Sequence, residues 1–132
     1  MLPKFRFWDI DEQYFITNPK LVLNNGSIEE LEYYYSELER RVCNHISYFE
    51  VTQSTGLFDL DGKEIYIGDI LKIEDEYTQV VFHEDNTTYG IYLEDKEGGG
   101  NPISDYSTRI SLNHINGNIE GNIYQHPHLL EE

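Results

Sequence analysis

Three sets of residues in this chain have types and spacings that chemistry can use. Asp59-Leu60-Asp61-Gly62 has the acid-x-acid-glycine pattern of a calcium loop, His126 and His128 flank Pro127 as a pair of imidazoles, and Cys43 stands two residues before His45. Each set is incomplete. Aligning Gly62 with the invariant glycine of an EF-hand loop puts Leu57 at the first ligand and Gly68 at the bidentate glutamate. Two oxygen ligands are then missing, and a solvated hairpin turn accounts for the run better. The His126–His128 pair has no cysteine or third histidine near it in sequence, and Pro127 restricts the backbone between the rings. Cys43 follows Arg40 and Arg41 at what reads as the C-terminal end of a helix, where no helix N-terminus lowers a thiol pKa; the expectation is a half-buried, inert thiol. His45, His83 and His114 are scattered. No G-x-S-x-G, P-loop, G-x-G-x-x-G or H-E-x-x-H run occurs. The residues nominate no catalytic group, no cofactor-binding residue and no metal ligand, and the expectation is a non-enzymatic protein.

Charge narrows the partners. With 9 Lys and Arg against 25 Asp and Glu the formal charge is 9 − 25 = −16, the opposite of the basic surface that tracks phosphate, so direct nucleic-acid binding is not expected. The same charge disfavours anionic lipid, and no stretch approaches the 18 or more apolar residues that span a bilayer. Met1-Leu2-Pro3-Lys4-Phe5-Arg6 lacks the apolar run and small-residue cleavage site of a signal peptide, and the single Cys43 has no internal disulfide partner. A cytoplasmic protein is expected. The 132 residues suit one domain, and 11 Tyr, 6 Phe and 1 Trp supply far more large apolar area than disordered chains have.

The elements that must position these residues are mostly strands. Phe5, Arg6, Phe7 and Trp8 alternate, Asp9 to Gln13 turns, and Tyr14 to Thr17 returns; Leu21-Val22-Leu23 is a short third run. One amphipathic helix is predicted near residues 27–42. Ser27 stands three residues before Glu30 at capping-box spacing, and Ile28, Leu31, Tyr35, Leu38 and Val42 step by three and four. From His45 onward the β pattern dominates: a turn at Asp59 to Gly62, a kink at Gly68-Asp69, strands over Tyr77 to Phe82 and Tyr89 to Leu93 around a Glu84-Asp85-Asn86 turn, a flexible Gly98-Gly99-Gly100 loop, a strand over Ile119 to Tyr124, and a terminal turn over His126 to Leu130. Five or so short strands at this spacing predict a small antiparallel barrel with Ile65, Ile67, Ile70, Leu71 and Ile73 in its wall.

Lys4 to Asp9, Gln53 to Ile70 and Gly121 to Leu130 together resemble, in order, three blocks of the YopX family of phage and prophage proteins. Lys4-Phe5-Arg6-Phe7-Trp8-Asp9 is similar to that family's opening, Gln53 to Ile70 (QSTGLFDLDGKEIYIGDI) to its central block, and Gly121 to Leu130 (GNIYQHPHLL) to its closing one. The resemblance implies a mainly β protein whose second part is an SH3-like barrel; joined to the elements read from the residues, the expectation is a single unit over 1–132, with N-terminal strands plus the helix in 1–52 and the barrel in 53–132. It also implies a phage or prophage protein working in a bacterial cytoplasm, and it brings no reaction with it. Three functions compete on this basis. The first is a protein-binding module for a host or phage partner; the second is an acidic mimic of nucleic acid that occupies a host DNA-binding enzyme; the third is a small enzyme with an unrecognised site built on Cys43 or a histidine. Tyr33-Tyr34-Tyr35 covers more than one face of any helix, leaves at least one ring exposed, and so predicts a homo-oligomer.

Overall fold

The computed structural model describes residues 4–85 and 88–131; Met1-Leu2-Pro3 of the opening and Asn86 of the predicted turn lie outside the described residues, as do Thr87 and Glu132. The chain divides into two compact units, Arg6–Val51 and Met1–Phe5 with Thr52–Glu132.

In the first unit β1 (Phe5–Asp9) pairs antiparallel with β2 (Tyr14–Phe15), placing Trp8 opposite Phe15. The reversal is fastened by the Asp9 carboxylate, whose Oδ1 accepts the N–H groups of Asp11 and Glu12 at 3.0 and 2.9 Å. Trp8 is buried edge-on against Phe15, with ring centroids 4.9 Å apart. A three-stranded antiparallel sheet follows, in the order β3 (Lys20–Asn24), β4 (Ser27–Tyr35), β5 (Arg40–His45).

That sheet replaces the predicted helix over 27–42. Asn24 pairs with Ser27, leaving the two-residue loop Asn25-Gly26 with φ of 53° and 82°. Two positive φ angles make the type I′ turn that right-twisted strands require, and Asn-Gly is the dipeptide that accepts them most readily. Ser27 therefore opens a strand and caps nothing. Beyond it Leu31 and Tyr33 are buried while Tyr34 is exposed, which is a period of two. The three-and-four stepping passes over Tyr33 and includes Leu38, which is 53% exposed in the β4–β5 turn. Tyrosine favours strands, and the cross-strand partners of Tyr34 and Tyr35 are Arg41 and Arg40, so the arginines read as a helix C-terminus are the return strand. Among the described residues there is no α-helix, only three 3-10 turns at Ile46–Tyr48, Ile103–Tyr106 and Pro127–Leu130.

The second unit is mainly one curled sheet. Strand β6 (Phe49–Phe58) turns through Asp59 to Gly62 into β7 (Glu64–Tyr66). Strands β8 (Asp69–Ile73), β9 (Glu76–Glu84), β10 (Tyr89–Glu94), β11 (Gly100–Pro102) and β12 (Asn118–Asn122) form a five-stranded antiparallel sheet in the order β11-β10-β9-β8-β12. A bulge between Ile119 and Gly121 helps bend it into a half-barrel. Ile65, Leu71, Val80, Leu93, Ile103 and Ile115 fill the inside, with Ile67 and Ile73 packed against them. At the expected kink Gly68 has φ 93°, its N–H donates to Val80 O, and the Asp69 carboxylate accepts the Tyr66 N–H at 2.8 Å.

The glycine run is built, where sequence suggested looseness. The Asp95 Oδ1 accepts the N–H groups of Glu97 and Gly99 at 2.9 and 3.0 Å, and Gly100 begins the edge strand β11 opposite Glu94. A Cβ at Gly100 would sit 2.2 Å from the carbonyl oxygen of Leu93, whereas one at Gly98 (φ 88°) meets nothing within 4 Å. Gly100→Ala is expected to cost about 3 kcal/mol in urea unfolding, the upper end of overpacking costs, and Gly98→Ala about 1 kcal/mol through backbone strain alone. Equal costs at the two sites would contradict the close approach at Gly100.

At the β6–β7 pairing the Ser54 hydroxyl donates to the Glu64 carboxylate and Lys4 Nζ lies 3.2 Å from it. The Ser54 hydrogen bond, aided by Lys4 and opposed by burial, holds the Glu64 carboxyl below its ordinary value of 4.5. A depressed carboxyl contributes stability above its unfolded pKa and loses it as pH falls through the folded one. Ser54→Ala is therefore expected to destabilise by about 1 kcal/mol at neutral pH, and the gap to the wild type should narrow in unfolding titrations between about pH 5 and pH 3. A gap constant with pH would show that Ser54 acts by packing alone.

Candidate functional site

The second unit holds sixteen of the acids and five of the bases, a net of 5 − 16 = −11, and the strand order gathers part of that charge. In an up-and-down antiparallel sheet alternate turns fall at the same end. The β8–β9 turn, Glu74-Asp75 with Glu76 opening β9, and the β10–β11 turn, Asp95 to Gly99, therefore meet beside the start of β9. The C-terminal 3-10 turn Pro127–Leu130 comes back against β9 and completes the arrangement.

Between these three segments lies a cleft of about 490 Å³. Tyr77, Leu129 and Leu130 give it an apolar side, all three half-buried; Asp75, Glu76, Asp95, Glu97 and Glu131 form a rim, with Lys96 and His128 among them. The tyrosine is steadied by Lys72, whose Nζ stands 5.8 Å from the ring centroid. Only Asp95 among the rim acids is used in the turns themselves. The arrangement is suited to a segment with an aliphatic side chain for the floor and a cation for the rim.

The other singled-out residues lie elsewhere. Asp59 is fully buried with both oxygens occupied: Oδ1 accepts Asp61 N–H at 3.0 Å and Lys63 N–H at 2.8 Å, and Oδ2 accepts Ile119 N–H at 3.0 Å. The calcium-like run is thus a structural turn. Cys43 is exposed on β5, contrary to the half-buried thiol at a helix end that the sequence suggested, and its thiol donates to Glu30 Oε2 at 2.6 Å. That hydrogen bond to a carboxylate, with some burial, pushes the thiol pKa up, which makes it a poorer nucleophile. His45 stands opposite Glu30 on the same strand and caps the 3-10 turn Ile46–Tyr48 by accepting Ser47 N–H. His83 lies 2.5 Å from Glu94 and stacks on Tyr92 at 4.4 Å. His114 faces Phe58, and Nδ1 of His126 accepts the N–H of Asn122 at 3.2 Å. His128 alone reaches the cleft. Among the described residues no three His, Cys, Asp or Glu converge as a metal site.

A second, larger hollow of about 680 Å³ lies in the first unit around Tyr33, Tyr35 and Tyr48. Two of its tyrosine hydroxyls are hydrogen-bonded. The Tyr35 hydroxyl lies 2.7 Å from Glu37 and 3.0 Å from Glu12, which with burial raises its pKa, and the Tyr33 hydroxyl accepts from Asn44 at 2.8 Å. Neither hollow was visible in the sequence. Acid runs at turns and a Leu-Leu pair near the C-terminus are the signal for the acidic cleft, and nothing local says that they meet.

The fold and the cleft define a mainly antiparallel β protein with a half-barrel unit that offers a charged, apolar-sided groove. A family model described as YopX protein matches residues 4–131, and the chain belongs to the YopX family. The crystal structure of protein EF1440 from Enterococcus faecalis is similar over 99% of both chains, with a TM-score of 0.65 at 22% identity, a likeness of fold. No curated protein matches the chain. Among the described residues no helix is long and apolar enough to cross a membrane.

The thiol offers a direct test of the β4–β5 register. Glu30→Gln removes the carboxylate that raises the Cys43 pKa, so iodoacetamide alkylation near pH 8 should speed up several-fold relative to the wild type. An unchanged rate would place the two side chains apart.

Proposed function

We propose that this chain is a phage- or prophage-encoded accessory protein of the bacterial cytoplasm that acts by binding another protein and catalyses nothing. The half-barrel is read as SH3-like, a barrel type widely used for binding, which is an argument by analogy. The observation that carries the reading is the acidic cleft of the second unit: five carboxylates around Tyr77, Leu129 and Leu130. Charge complementarity selects the partner, a host or phage protein presenting a Lys- or Arg-containing segment with an aliphatic anchor.

A second reading draws on the same gathering of acids. Glu74, Asp75, Glu76, Asp95 and Glu97 at one end of the sheet would let the protein imitate phosphate and occupy a DNA-binding enzyme. The apolar side of the cleft favours the first reading, because a phosphate replica has no use for two leucines.

The test is affinity capture from prophage-bearing cells with mass spectrometry, using wild type and the double variant Asp75→Lys/Glu97→Lys. The expected result is a protein retained by the wild type, released as salt is raised, and absent from the variant. Retention of the same proteins by both overturns the cleft as the docking site, and displacement of the captured protein by duplex DNA selects the mimic.

A further inference from the structure

Two apolar residues on one loop of the second unit are anomalous. Ile110 is 98% exposed and Leu112 is 81% exposed, yet the loop that bears them is held in place. Thr108 N–H donates to His114 O at 2.7 Å, Ser111 N–H to Thr108 Oγ1 at 3.1 Å, and the Ser107 hydroxyl to Leu112 O at 3.3 Å. At its far end Phe58 N–H donates to Asn113 O at 2.9 Å and Ile115 N–H to Phe58 O at 2.8 Å. A fixed loop cannot fold its isoleucine back onto its own core, so the side chain stays in water unless something covers it. Beside it stands Arg109, the one arginine in residues 52–132, which has no ion-pair partner among the described residues.

A cation next to an exposed aliphatic side chain is the complement of the acidic cleft, and both features belong to the same unit of every copy. We infer that the Arg109-Ile110 tip of one copy docks in the acidic cleft of a second copy. Ile110 lies against Leu129 and Leu130, and Arg109 stands among Asp75, Asp95 and Glu97. The two surfaces are different patches, so the contact is heterologous and joins copies head to tail, into a ring where the rotation closes and a filament where it does not. One loop tip in a cleft of about 490 Å³ buries little area, and small, charged contacts are weak and salt-sensitive. This inference rests on the reading of the cleft as a docking site and adds a named occupant that competes with the partner protein for it.

The experiment is sedimentation velocity of the full chain over a wide concentration range at low and high salt. The expected result is a mass that rises with concentration and falls back with salt. Ile110→Asp, with its tip disabled, and Asp75→Lys/Glu97→Lys, with its cleft disabled, should each stay monomeric. An equimolar mixture of the two should form a heterodimer and stop there, because one competent tip and one competent cleft remain. All these side chains lie at turns or loop tips, and unchanged circular dichroism confirms folding. A wild type that is monomeric throughout overturns the inference, as does a mixture that gives no dimer or an oligomer indifferent to both variants. The partner reading fails separately: Ile110→Asp keeps an intact cleft, so protein capture should survive in it and vanish only in the cleft variant.

Discussion

The carboxylate of Asp59 is fully buried, and the architecture of the second unit is organised around satisfying it. Two of its hydrogen bonds close the turn between β6 and β7, and the third reaches 60 residues along the chain to Ile119 at the start of β12. Neighbouring backbone bonds follow the same path, with Leu60 N–H donating to Gly117 O and Phe58 N–H to Asn113 O. Hydrogen bonds to charged groups contribute about 1.5–3 kcal/mol each, and burying a carboxylate costs several kcal/mol unless its lone pairs are filled. The three N–H donors offset that burial only when β12 is seated. One side chain thereby makes the local hairpin and the closure of the half-barrel a single event.

The position of β12 has consequences downstream. Strand β12 pairs with β8, and the chain leaving it folds back through His126, whose ring packs where a Cβ on Gly121 would be, and brings Leu129 and Leu130 to the cleft beside Tyr77. The acidic rim and the apolar side of the cleft therefore come from different mechanisms. The rim follows from alternate turns of an antiparallel sheet sharing an end, and the apolar side from the return of the C-terminal segment.

The elements that could be read locally were those whose signal is local. The turn at Asp59 to Gly62, the Gly68 kink and the strands around Tyr77 to Phe82 and Tyr89 to Leu93 depend on turn chemistry and alternation within a few residues. The segment over 27–42 forms strands where helical spacing predicts a helix, because two periodicities coexist in it. Ile28, Leu31 and Tyr35 satisfy helical spacing, while Leu31 and Tyr33 satisfy the strand, and glutamates at 29, 30 and 32 favour a helix. What decides between them is the Asn25-Gly26 turn, which commits the chain to reverse and delivers β4 alongside β3. Gly98 to Gly100 differs from expectation for another reason: its order comes from the Asp95 carboxylate and from the backbone of Leu93.

By itself the sequence determined a folded, strongly acidic, mainly β chain of the YopX type, because composition, alternation and turn residues act at short range and its three motif blocks are contiguous. It also ruled the recognisable Asp59 block into structural work. Only the tertiary structure decided that charges from residues 75–76, 95–97 and 131 share one cleft with Tyr77 and two leucines, and that Ile110 stands unburied beside Arg109. Those are distances between residues far apart in the chain, set by strand order and by where a buried carboxylate seats the last strand, and no local pattern encodes them.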